Sequence, residues 1–211
     1  GCCTGFGVPV AKYFGANNLH KMRKYIFNGA VLTGIIALIV TIVCSVCCNQ
    51  ILHLLSVPQD IYDKAYAYLI VIFLGIPFTL MYNYLSSVLR SLGDSRTPFM
   101  FLAFSAILNI FLDLFCIVVL KWDCAGAAIA TIMAQAVSGI LCLVYIFKKV
   151  QIMHLEAKDR EIEGSAVKEL LVMGIPTGLQ FSITAIGSMV MQSANNKLGS
   201  VYVSGFTAGM R

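Results

Sequence analysis

The sequence predicts an all-α fold, a polytopic bundle of membrane-spanning helices. Three observations carry that prediction. Of 211 residues, 59% are hydrophobic and 12% charged, whereas roughly a quarter of the residues of an ordinary soluble domain are charged, and the mean hydropathy is +0.84. The apolar residues gather into runs long enough to cross about 30 Å of hydrocarbon at about 1.5 Å per residue. Lys and Arg fall between those runs, and every second connection holds most of them.

Taken in order, residues 1–14 (GCCTGFGVPVAKYF) read as the cytoplasmic end of a span. A polar turn and a basic helix start follow, with Lys12, His20, Lys21, Arg23 and Lys24. The next span, about 26–52, is apolar almost all round, as suits a helix between lipid and neighbours. After a loop with Pro58, Asp60 and Asp63, a span covers about 65–89. Pro77 within it removes a helix hydrogen bond and predicts a kink, with Tyr82 beside the break as a cavity-lining candidate. The connection LRSLGDSRTP (89–98) offers Gly93 for a tight turn and Pro98 for a helix start.

Residues 97–149 form two spans, about 97–120 and 124–147, joined by a turn around Lys121, Trp122 and Asp123. The first carries Ser105, Asn109 and Asp113 on one helical face; the second carries Thr131, Gln135, Ser138 and Cys142 in the same way. If the hairpin folds about residue 122, positions equidistant from it lie at equal depth, which sets Asp113 opposite Thr131 and Asn109 opposite Gln135. A charge near a helix centre costs roughly 2.5–3.5 kcal/mol on insertion scales, so an intramembrane Asp marks a functional site by default. The alternative is that these side chains hold helices together by hydrogen bonds.

From Lys148 to Glu169 the chain turns hydrophilic, and residues 150–169 read as a solvated cytoplasmic linker between an N-terminal unit (1–149) and a second one (170–211). A span over about 170–194 carries Pro176 and a row of Gln180, Thr184, Ser188 and Gln192 at intervals of four, facing either a wet cavity or helix neighbours. A further span is expected from residue 200. Gly1 in place of Met, and a run that begins just before Arg211, predict a piece of a longer chain. The connections rich in Lys and Arg (12–24, 90–96, 148–168) are assigned to the cytoplasm, against those with only Lys64, Lys121 and Lys197. That asymmetry accounts for a net charge of +5 without a nucleic-acid partner. The eight cysteines read as small apolar helix residues, and the CxxCC at 44–48 lacks a second metal-ligand pair.

LRSLGDSRTP, then LNIFLD at 108–113 and AGAAIATIMAQ at 125–135, closely resemble the multidrug and toxic compound extrusion (MATE) transporters. GIPTGLQ at 174–180 resembles the opening of their seventh helix. The resemblance runs from the end of helix two to the start of helix eight. It implies two six-helix lobes around a V-shaped cavity, here an N-terminal lobe without its first helix and the start of the C-terminal lobe. It further implies export of cationic or amphipathic compounds across the plasma membrane in exchange for Na+ or H+, no other cofactor, and a monomer when complete. The resemblance makes Asn109, Asp113 and Thr131 the cation-coupling residues, with Na+ as a candidate ligand, together with an Asp on the first helix. Some members carry a carboxylate on helix seven, where the nearest residue here is Thr184.

Gln135, Ser105, Tyr82, Gln180, Thr184 and Ser188 are the cavity-lining candidates. A lipid-linked oligosaccharide flippase, the alternative, needs basic residues in its cavity, and no Lys or Arg lies deep in a predicted span. An intramembrane enzyme needs paired catalytic groups or a metal cluster, and Asp113 has only amide and hydroxyl company.

Overall fold

The structure, a computed structural model, describes residues 1–54, 59–120, 122–150, 159 and 161–197. Among them all regular structure is helical. Helix α1 (Cys2–Gly15) ends at a two-residue Asn turn. Asn17 takes the left-handed backbone (φ 54°) that Asn tolerates better than most residues. Asn18 then caps α2 (Leu19–Val46) by accepting from the Lys21 N–H at 3.1 Å, which satisfies one of the orphan donors of a helix start.

That cap places the start of α2 seven residues before the span expected from residue 26, because the basic stretch is itself helical. At the other end Cys47 breaks the helix, and α3 (Cys48–Leu54) continues as a separate short piece. One face of α2 is buried through Met22, Ile26, Thr33 and Ala37, whereas Leu38, Ile42 and Val46 on the other face are exposed. Exposed aliphatic residues on a span suit contact with lipid.

Helices α4 (Gln59–Leu74) and α5 (Ile76–Ser91) form one bent span with a 40° bend. The break falls at Gly75, and Pro77 lies in the first turn of α5, where its missing N–H is not needed. Gly75 is required for a second reason: a Cβ there would collide with the Ile132 side chain. The 89–98 connection is a helix stop joined to a helix start. Gly93 adopts φ 87°, the Asp94 N–H bonds the Leu89 carbonyl at 3.0 Å, and Asp94 Oδ1 accepts from the Thr97 N–H at 3.0 Å. Burial pushes the Asp94 carboxyl up, but hydrogen bonds from Thr97, Tyr145 and the Arg96 backbone outweigh it and hold the group below the usual carboxylate range.

Helix α6 (Arg96–Leu114) passes into a π-helical turn (Phe115–Val119), and α7 (Asp123–Lys149) returns beside it. Helix α8 (Gly164–Lys197) begins inside the stretch expected to be linker. Among the described residues, four helices, or five with the bent pair, are long and apolar enough to cross a membrane. The core lies where α1, α2, α5, α7 and α8 converge, around Phe6, Val10, Met22, Tyr84, Val88 and Leu170. Inside it the Tyr84 hydroxyl donates to the Ile26 carbonyl at 2.6 Å, the partner a buried phenol requires.

Where it is described, the linker is exposed from Glu161 to Ser165 yet tied to α2, and Asp159 within it is buried. Asn28, 1% exposed, donates through Nδ2 to the Glu161 carbonyl at 3.0 Å and accepts through Oδ1 from the Glu163 N–H at 3.1 Å. Asp159 is equally buried, with His20 Nδ1 2.7 Å from its carboxylate. The Lys24 ammonium, 2.7 Å from Glu163, holds that carboxyl below its ordinary range, helped by Ser165. The mixed charges that read as a solvated face are matched to the basic start of α2. The span expected from residue 200 lies outside the described residues, as does Gln192's side chain.

Candidate functional site

Ser105, Asn109 and Asp113 follow one another on a face of α6, and Thr131, Gln135 and Ser138 on a face of α7; the two helices pack side by side. Their register is set by two hydrogen bonds. Ser105 Oγ donates to the Ala134 carbonyl at 2.6 Å, and Ser138 Oγ to the Phe101 carbonyl at 3.2 Å. Each pair is equidistant in sequence from a point between Val119 and Leu120 and not from residue 122, although helix continues to Val119 and α7 begins at Asp123.

Reflection about that point sets Asn109 at about the level of Ala130, beside Thr131, and Asp113 at about the level of Gly126. The expected pairings of Asp113 with Thr131 and of Asn109 with Gln135 are thus displaced by nearly one and a half helical turns. The π turn at Phe115–Val119 contributes to this, because its wider winding uses more residues per unit of axial advance than an α-helix. Such turns recur beside functional positions, and this one starts two residues after Asp113.

A polar census separates structural from available groups. The hydroxyls of Ser105 and Ser138 are committed to the clasp. Thr131 is exposed and donates to the Ala127 carbonyl of its own helix at 2.9 Å. Asn109 Nδ2, Asp113 Oδ1 and Gln135 Oε1 are shielded from solvent and have no hydrogen-bond partner. Polar groups left so in a low-dielectric setting carry a desolvation cost of about 1–3 kcal/mol each. Two of the three atoms are oxygens, one from a carboxylate and one from a carboxamide, the donor type that hard cations select.

The other candidates lie elsewhere. Tyr82 is buried, and its hydroxyl is spent on the Pro98 carbonyl at 3.0 Å, so it braces α5 against the start of α6. Gln180, Thr184 and Ser188 lie on an exposed face of α8. Thr184 bonds the Gln180 carbonyl and Ser188 the Thr184 carbonyl, both at 2.9 Å. Gln180 and Thr184 line an open hollow of about 300 Å³ with Phe181 and Ala185. Helix α8 packs against α1 and α2, so the hairpin pair and the α8 row are separate groups.

Sequence reasoning missed Asn28, Tyr25 and Glu169. Tyr25 donates to the Glu169 carboxylate, and the Lys12 ammonium lies 3.1 Å from the same carboxylate. The available signal was charge complementarity between KMRKYIFN at 21–28 and EIEGSAVKE at 161–169.

A family model described as MatE matches residues 1–115. The chain is similar to the "Probable multidrug resistance protein YpnP" of Bacillus subtilis, with 38% identity over 76% of this chain and 36% of that protein. It is 29% identical to the "Probable multidrug resistance protein NorM" of Thermotoga maritima over 98% of this chain and 45% of that one. The chain therefore spans less than half the length of these relatives. Among solved structures, one of a MATE transporter in a bent conformation superposes on the whole chain with a TM-score of 0.89 at 21% identity, covering 47% of its own length. An inward-facing MATE family transporter superposes on 83% of the chain with a TM-score of 0.77 at 22% identity, covering 41% of its own length.

Proposed function

The chain belongs to the MatE family, the multidrug and toxic compound extrusion transporters, and on that premise we propose that the protein it is part of exports amphipathic or cationic small molecules in exchange for Na+ or H+. The observation that carries the reading is the unpartnered carboxylate oxygen of Asp113 on α6, with unpartnered amide atoms of Asn109 and Gln135 at other levels of the same two helix faces. Asp113 Oδ1 and Gln135 Oε1 are oxygen donors with nothing to bind, on spans with mean hydropathies of 2.4 and 2.1. An uncompensated carboxylate in such surroundings is costly unless a cation or proton joins it.

Cation entry at Asp113 would neutralise the carboxylate and favour one packing of α6 on α7. Asn109, at the level of Thr131, completes a polar face that substrate or cation reaches from the cavity. Export follows if substrate and coupling ion favour different arrangements of the helices, because a ligand shifts a conformational equilibrium only by its differential affinity for the two states. The whole protein is then a multi-pass component of the plasma membrane, in contact with lipids and acting as a monomer.

The flippase alternative finds no support among the described residues. The Lys and Arg residues of the candidate spans sit near helix ends, as with Lys21, Arg23, Arg96, Lys148, Lys149 and Lys168, where a pyrophosphate deep in a cavity is out of reach. The test is transport by the full-length protein reconstituted in liposomes. Gradient-dependent movement of a fluorescent organic cation supports the reading. Movement of a lipid-linked oligosaccharide without a cation gradient would replace it with the alternative.

A further inference from the structure

Among the described helices, α8 packs chiefly on α1 and α2, and the contacts are of two kinds. Toward the middle of the spans the helices meet through glycine. A Cβ at Gly5 would lie 2.6 Å from the Met173 carbonyl oxygen, one at Gly178 would lie 2.6 Å from Cys2 Sγ, and one at Gly174 would overlap the Phe6 ring. This seam is apolar, and its closeness depends on small residues.

At the end assigned to the cytoplasm the contacts are polar. Glu169 near the start of α8 receives Lys12 of α1 at 3.1 Å on one carboxylate oxygen and the Tyr25 hydroxyl of α2 on the other. Tyr25 is backed by Tyr13, with ring centroids 4.7 Å apart and a hydroxyl contact of 3.4 Å. Lys12 also lies 5.3 Å from the centre of the Tyr13 ring. The two contacts around Glu169 differ in kind from the Asn28 clamp. Asn28 is enclosed and binds backbone, whereas the side chains of Glu169 and Lys12 are 26% and 64% exposed, so water replaces the partners of that ion pair when it parts, at little cost. Tyr25 is 7% exposed and stays with α2, presenting its hydroxyl to Glu169.

We infer that Lys12, Tyr25 and Glu169 form a releasable latch that closes this end of the transporter between α1, α2 and α8, while Asn28 is the fixed anchor that keeps the segment ahead of α8 on α2. The inference rests on the transporter reading, since alternating access requires helices of the two halves to separate at one face and then at the other. The latch biases the closed form at this end.

The test uses the full-length protein with its native cysteines replaced. Spin labels on α1 and α8 outside the latch give the ratio of separated to closed forms in liposomes. Glu169→Gln is expected to raise that ratio by about two- to fivefold, and the charge-exchanged double variant Lys12→Glu/Glu169→Lys to return it toward the parent. A Lys12→Cys/Glu169→Cys protein joined by a short reducible cross-linker is expected to lose transport and recover it on reduction. An unchanged distance distribution in a folded Glu169→Gln protein, or transport at the uncross-linked rate in the joined protein, overturns the latch. A parent protein that does not transport defeats the functional reading instead, and the distance measurement still decides the latch.

Discussion

Ser105 Oγ donates to the main-chain carbonyl of Ala134 at 2.6 Å, and with its counterpart from Ser138 to Phe101 this bond fixes α6 against α7. Interhelical bonds of this kind are worth about 0.6 kcal/mol within a membrane. The carbonyl of Ala134 is an acceptor of its own helix, so losing the serine strands little. Ser105→Ala is expected to lower unfolding stability by about 0.6 kcal/mol, and Ser105→Ala/Ser138→Ala by about twice that. Steric-trapping or detergent-titration measurements on the full-length protein check it. A loss above about 3 kcal/mol for the single variant would show that Ser105 has a larger part than a clasp.

The hairpin itself was legible in the sequence, but its register was not. Two apolar limbs around Trp122 predict a helix pair from hydropathy alone, and the serines that clasp it stand on the predicted polar faces. The FCIVV segment at 115–119 winds as a π turn although it has no residue that marks one, and this displaced the pairing read for Asp113. The linker's attachment to α2 was not legible for a different reason. Its alternating charges satisfy the rule for a solvated stretch, and the hints of a tertiary partner were their complementarity to the basic start of α2 and Asn28, a single carboxamide in an otherwise apolar run. The spans were legible because hydrophobic length is a local property; Asn28 was not because its meaning lies 133 residues away.

Asp94 caps the first turn of α6 and is held below the usual carboxylate range. A carboxyl with a depressed folded pKa contributes stability that is complete above its unfolded value near 4 and is lost as pH falls through the folded value. Asp94→Ala is expected to cost about 0.5–2 kcal/mol. The gap between parent and variant should stay constant from about pH 5 to 8 and narrow below about pH 4. Thermal melts of the two proteins in detergent across that range check the sign. A gap that widens on acidification would contradict it.

Ala16, in the α1–α2 turn, and Trp122, in the hairpin turn, are both exposed, and the Lys and Arg asymmetry places them on opposite sides of the membrane. In a cysteine-free full-length protein, Trp122→Cys is expected to react with an impermeant thiol reagent added outside intact cells. Ala16→Cys should be protected until the cells are opened. The reverse pattern would invert the topology and move the Glu169 latch to the outer face.

Asp113 is the residue on which the proposed coupling turns, and its unpartnered oxygen stands apart from the serines that hold α6 and α7 together. The direct measurement is cation-driven efflux of a fluorescent organic cation from energised vesicles, under an imposed Na+ or H+ gradient and normalised to folded protein. Asp113→Asn keeps the shape of the side chain and removes its charge, and is expected to reduce gradient-driven efflux at least tenfold (about 1.4 kcal/mol) with folding intact. Asn109→Ala and Thr131→Ala are expected to reduce it less, since the carboxylate remains. Near-parental, gradient-dependent efflux by Asp113→Asn would contradict the assignment and make this Asp a helix-packing residue with coupling located elsewhere.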